Sequence, residues 1–122
     1  KTDAGADLVT AEAFTLSPGE NKTIETGTAI DLPEGYVGLI VSRSGLGSKG
    51  IRVRNSVGVI DPEYKSDMKV SLENVSKVPH RFEVGDRIAQ LLIVPIATPK
   101  FVNGRGPWPK EERGGFGSTG VA

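Results

Sequence analysis

The chain has no cysteine, one histidine, one methionine and one tryptophan. Without cysteine there is no disulfide, no thiolate-ligated zinc or iron–sulfur cluster and no thiol nucleophile. A single histidine rules out a His-rich metal site and leaves little room for a Ser-His-Asp triad. An excess of one charge is also missing. Fifteen Lys and Arg face fifteen Asp and Glu, for a net charge of zero, which counts against a general nucleic-acid binder. Long apolar runs are missing too. The longest, around Leu91 to Ile96, is far short of the ~20 residues that span a bilayer. No charged-then-apolar leader opens the chain, and it begins with Lys1, so the numbering can start inside a longer product. The lack of cysteine fits the cytosol. The expected location is cytoplasmic, with a nuclear, viral or phage-encoded origin left open.

Glycine and proline are abundant: 16 and 8 of 122 residues. That density breaks helices and favours short strands joined by turns. Phe14 and Leu16 alternate with polar neighbours before a Ser17-Pro18-Gly19-Glu20 turn. Thr23 to Ile30 alternates next, closed by Leu32-Pro33-Glu34-Gly35, and Tyr36 to Val41 is short and apolar. Ser42 to Gly50 reads as a polar, Gly-rich loop, and Ile51 to Ile60 as a resumed strand. The clearest alternation sets Met68, Val70 and Leu72 inward against Lys69, Ser71 and Glu73 outward. His80 and Phe82 precede a turn at Val84-Gly85-Asp86, and His80 reads as structural. Ile88 to Ile96 is apolar on both parities, as expected of a central strand buried on both faces, with Pro95 marking an end or edge. No helical pattern of ten residues is present. The expected fold is all-β, a sandwich or barrel of short antiparallel strands, as one domain over 1–122. From about residue 97 the chain reads as a flexible arm. Its Phe101, Trp108, Phe116 and Val121 have no core of their own, so exchange onto a neighbouring subunit is the expected way to bury them.

Four segments concentrate glycine with polar residues, a composition that lets backbone N–H groups approach an anion. They are Ala4-Gly5-Ala6-Asp7-Leu8, Ser42 to Gly50, Asn55 to Tyr64, and Arg113 to Gly120. Arg43 with neighbouring hydroxyls and glycines fits a phosphate cradle, although the Walker A spacing is absent. Asp61 directly follows an apolar strand, where a carboxylate can act as a general base on water or hold a metal. An Asp-Pro turn is the bland alternative. Tyr64 is either a stacking face or a rim aromatic. Phe116 in its Gly-rich stretch suggests an aromatic lid on a mobile loop.

Together with Gly85-Asp86-Arg87-Ile88-Ala89-Gln90-Leu91, these segments resemble the five motifs of the trimeric dUTPase family, in order and over nearly the whole chain. These are nucleotide hydrolases that convert dUTP to dUMP and pyrophosphate, so limiting uracil in DNA and supplying dUMP for dTMP synthesis. The resemblance implies a jelly-roll-like β barrel in a homotrimer, with active sites at subunit boundaries and the C-terminal arm of one subunit closing another's site. It implies Asp61 as general base and Tyr64 packed under the deoxyribose. Asn55, Gly58 and the hairpin backbone near Met68 would serve uracil. Arg43, Ser44, Gly45 and Gln90 would bind phosphates, and Asp7 would hold Mg²⁺ through water. Arg113, Phe116, Gly117, Ser118 and Thr119 would close over the nucleotide. The implied partners are dUTP and two further copies of the chain, with no membrane and no direct nucleic-acid contact.

Three departures stand out. Ala6 replaces a larger residue. Ser66 stands where glycine is usual, a strained choice if that position needs φ > 0. Arg113 lies three residues before Phe116 rather than five, as in some Gram-positive bacterial and phage members. Arg105 to Pro109 carries no assigned role. The dCTP deaminases share the fold, but their catalytic Glu position is Ser71 here, and Glu73 is expected to point away. A regulatory module without turnover and a capsid-type jelly roll are the remaining alternatives.

Overall fold

A computed structural model describes residues 4–104 and 112–113, the last two as backbone. The strands are β1 (Ala6–Val9), β2 (Phe14–Leu16), β3 (Asn21–Glu25), β4 (Tyr36–Val41), β5 (Ile51–Val53), β6 (Gly58–Ile60), β7 (Lys69–Asn74), β8 (His80–Phe82), β9 (Arg87–Pro95), β10 (Phe101–Val102) and β11 (Glu112–Arg113). One helical turn, α1 (Ser44–Gly47), interrupts them. Among the described residues no helix is long and apolar enough to cross a membrane.

The strands pair antiparallel in a four-stranded sheet β1-β9-β4-β6, a three-stranded sheet β3-β7-β5, and the ladders β2-β8 and β10-β11. This is the all-β, jelly-roll architecture expected. Period two in the sequence becomes period two in burial. Val70 and Leu72 are 1% exposed, with Ile24 from β3 and Ile51 and Val53 from β5 on the same inner face. Phe14 and Phe82 lie opposite each other across β2-β8, and their rings stack at 4.6 Å. That contact adds to the area both rings bury.

Four sequence readings are corrected. The Ser42–Gly50 loop contains α1, whose Leu46 reaches the core. Ala6–Val9 is a strand, drawn into the sheet by β9. The run from Ile51 to Ile60 is two strands in two sheets, because the inward phase switches from Ile51 and Val53 to Gly58 and Ile60 across a turn. Within the C-terminal segment β10 pairs with the backbone of β11. β9 is central, between β1 and β4, but only one of its faces is fully buried within one chain. Ile88, Ala89 and Leu91 are inside, whereas Leu92 and Val94 are half-covered.

Asn74, fully buried, ties three segments together. Its Nδ2 donates to the carbonyls of Leu16 and Val78, and its Oδ1 accepts from the Ser76 N–H and hydroxyl. The turn it braces needs Gly50. With φ +84, a Cβ there would sit 2.8 Å from the Ser76 Cβ and 3.0 Å from its nitrogen. Asn74→Ala removes these four hydrogen bonds from a buried turn and is expected to cost about 2–4 kcal/mol, read as a lowered urea midpoint.

Candidate active site

The site residues fall into two groups at opposite corners of the four-stranded sheet. At the first corner the register places Asp7 of β1 opposite Gln90 of β9, and Gln90 opposite Val41 of β4. Arg43 follows two residues later and donates from Nε to Asp7 Oδ1 at 3.3 Å. Ser44 and Gly45 open α1 and are exposed. Three separate sequence segments thus gather Asp7, Arg43, Ser44, Gly45 and Gln90. Beside them is a cleft of about 290 Å³ lined by Arg43, Leu46, His80, Asp86 and Arg87. His80 leans on the Phe82 ring at 4.6 Å, in keeping with a structural role.

Among the described residues no three His, Cys, Asp or Glu side chains cluster as a metal site. Asp7 sets one carboxylate beside phosphate-type donors, with Asp86 on the wall of the neighbouring cleft. Mg²⁺ usually keeps several waters and takes one or two carboxylates plus substrate phosphates. The donor set fits a cation that arrives with a polyphosphate.

At the second corner, β6 presents the hairpin residues. Asp61 follows Ile60, is exposed, and its carboxylate makes no hydrogen bond or ion pair among the described residues. The Asp61 carbonyl accepts from the Tyr64 N–H at 3.0 Å, and the Tyr64 hydroxyl donates to the Asp67 carbonyl at 2.9 Å. Tyr64 also packs on the core, so its ring is fixed at both ends. The Asn55 amide lies over Gly58, with Nδ2 3.6 Å from where a Cβ would stand. Ser56 between them has φ 65. It is the left-handed non-glycine residue in the described chain, and Ser66 is not, so the strain expected at Ser66 sits at Ser56. Such conformations concentrate at functional turns and cost about 1–3 kcal/mol.

Met68 is 1% exposed, and its own backbone groups are taken. Its N–H donates to the Thr28 carbonyl, and its carbonyl accepts from the Thr26 N–H and hydroxyl. Phe116, Gly117, Ser118 and Thr119 lie outside the described residues, and of Arg113 only the backbone, paired with Phe101, is described. Ser71 and Glu73 share one face of β7, because residues two apart on a strand do. Glu73 is nonetheless committed, accepting from Arg52 Nε at 2.6 Å.

The two corners are far apart in one chain. Asp7 and Asp61 are separated by the strand order β1-β9-β4-β6, and the Ile60 row passes through Gly38 while the Asp7 row passes through Val41. Three inter-strand steps and three to four residues along the sheet put them roughly 20 Å apart. Between the corners the outer face is apolar. Leu39 lies opposite both Leu92 and Val59, and Val59 is 61% exposed.

Sequence reasoning missed two residues here. Arg87 stood in a motif without a role, and Ser56 was passed over beside Asn55. The consecutive apolar pair Ile88-Ala89, straight after a turn, was the signal for the first. The phase switch between Val53 and Gly58 was the signal for the second.

A family model described as dUTPase matches residues 1–120. The chain is 46% identical over 122 residues to the deoxyuridine 5'-triphosphate nucleotidohydrolase of Leifsonia xyli, covering 97% of this chain and 80% of that protein. The dUTPase of Staphylococcus bacteriophage 80alpha, solved with dUpNHpp, superposes with a TM-score of 0.81 at 36% identity, covering 99% of this chain and 88% of that one. A variant of the dUTPase from phage phi11 of S. aureus, whose structure concerns coordination of a structural Mg(II) ion, gives 0.80 at 32% identity, covering 87% and 86%. The motif order, the all-β fold and these similarities agree: the chain belongs to the dUTPase family.

Proposed function

We propose that the chain hydrolyses dUTP to dUMP and pyrophosphate, so limiting uracil incorporation into DNA and supplying dUMP for dTMP synthesis. The observation that carries this reading is the Asp61 carboxylate at the end of β6, unpaired among the described residues. It lies beside an anchored tyrosine and an amide folded over a glycine, in a chain whose family is established.

Asp61 takes a proton from a water. The water oxygen bonds to the α-phosphorus in line with the departing pyrophosphate, and the Pα–O bond to the β-phosphate breaks. The Tyr64 ring packs under the deoxyribose, where a 2′-hydroxyl does not fit. Asn55 pairs with uracil, and a cytosine would leave buried donors unmatched. Arg43, Ser44, Gly45 and Gln90 hold the phosphates. Asp7 would hold Mg²⁺ through water, and the ion would supply positive charge against that of the phosphate oxygens.

The active unit is a homotrimer with shared sites. Half-sites roughly 20 Å apart cannot serve one nucleotide within one chain. The apolar strip of Leu39, Val59 and Leu92 between them suits burial against a second copy, which brings one copy's Asp61 corner to another's Asp7 corner. The segment from about residue 97 closes the site, with Arg113 and Phe116 over the nucleotide.

Product analysis tests the activity. With Mg²⁺, dUTP is expected to give dUMP and pyrophosphate, while dCTP, dTTP and UTP stay intact. Deamination of dCTP would overturn the reading, and dUTP binding without products would leave a regulatory module.

A further inference from the structure

Arg87 has no part in the chemistry above, yet the backbone departs from regular pairing to present it. On β1 and β9 the partners run Asp7 with Gln90 and Leu8 with Ala89, then jump to Val9 with Arg87. The skipped residue, Ile88, is a bulge, and Ile88 and Ala89 are both buried although consecutive. In an unbroken ladder Arg87 would oppose Thr10, which is 1% exposed and inward. A one-residue shift moves a side chain to the other face, and bulges re-aim side chains in this way. The shift puts Arg87 on the face of Val9 and Asp7. There Arg87 Nε lies 3.5 Å from Asp7 Oδ2, while Arg43 Nε lies 3.3 Å from Oδ1. One carboxylate is shared by two guanidiniums, and both arginines line the same cleft.

We propose that Arg87 is a second phosphate-binding cation of this corner, masked by Asp7 until that carboxylate turns to the metal carried by the nucleotide. The inference rests on the nucleotide reading above. Without metal, Asp7 engages Arg43 and Arg87 together, so a bare triphosphate meets a trio whose net charge is +1 rather than +2 and whose Nε donors already face a carboxylate. With the metal–nucleotide complex, Asp7 faces the cation's water shell. Arg87 and Arg43 are then released to phosphate oxygens, where charge-assisted hydrogen bonds are strong. The exchange makes affinity depend on metal through protein charges as well as through the metal's own bonds.

The test is a double-mutant cycle on the binding of dUpNHpp to the full-length protein, by calorimetry, in EDTA and in Mg²⁺. In EDTA, Arg87→Gln is expected to change the affinity of the otherwise wild-type protein by less than about twofold, because Asp7 already occupies that guanidinium. In an Asp7→Asn background the same change is expected to weaken binding about tenfold, and Arg87→Lys to restore part of it. Asp7→Asn alone is expected to bind the analogue more tightly than wild type in EDTA and to lose most of the gain from Mg²⁺. A purely structural Arg87 would lower the urea midpoint and weaken binding equally in both backgrounds, and that result overturns the proposal. Equal affinities for Arg87→Gln and its parent in every condition overturn it as well. Failure of the wild-type protein to bind dUpNHpp even with Mg²⁺ would overturn the nucleotide reading on which it rests, a result distinct from the other two.

Discussion

Replacing Asp61 by asparagine is expected to lower turnover about 10²–10⁴-fold, the usual worth of a positioned general base. The substitution is nearly isosteric and the carboxylate makes no hydrogen bond or ion pair among the described residues, so the fold loses nothing. The contacts that shape the hairpin come from the Asp61 carbonyl and from Tyr64, and Asp61→Asn keeps both. Affinity for dUpNHpp is therefore expected to stay within about threefold of wild type, since the loss falls on the transition state alone. Single-turnover hydrolysis and calorimetry separate the two quantities. A variant that binds the analogue and turns over at the wild-type rate would assign the base elsewhere.

Two inactive variants are expected to restore one another. An assembly of Arg43→Ala chains lacks the phosphate corner, and an assembly of Asp61→Asn chains lacks the base. Each is expected to show almost no activity. Because the two corners are far apart in one chain, a site at a subunit boundary draws Arg43 and Asp61 from different copies. Co-expressed in equal amounts, random assembly gives about a quarter of the sites both intact groups. Activity near a quarter of wild type is the expected result. If one chain supplied both residues to its own site, the mixture would stay inactive, and shared sites would be ruled out. Equilibrium sedimentation of the same samples reports the mass, for which three chains are expected.

Much of the fold was legible. The alternation of Met68 to Glu73 appears as an inside row and an outside row on β7. Tyr36–Val41 has the limits that its apolar run implied. Both depend on near neighbours, since a strand's side chains alternate whatever it pairs with. Other features depended on pairing. Asp7 was legible as a polar residue in a glycine-rich stretch, but its strand exists only because β9 lies beside it. The Ile51–Ile60 run has strand character at both ends, and only the two sheets that claim its halves divide it. Met68 was legible as an inward residue. That its backbone is consumed by Thr26 and Thr28 depends on a distant segment, Thr26 lying 42 residues away in sequence.

The amino-acid sequence by itself determined the chemistry available to this protein: a carboxylate directly after an apolar strand, a tyrosine three residues on, arginines beside glycines, and no cysteine. It also determined strand character and turns, because these follow from side-chain period and from Gly and Pro backbone preferences. Only the tertiary structure decided which residues meet. Register between distant strands sets Asp7 against Gln90, and one bulge brings Arg87 to the same carboxylate. Strand order holds Asp61 at the far corner. Pairing partners and a one-residue shift are long-range choices made by the whole core at once, and a local pattern carries no record of them.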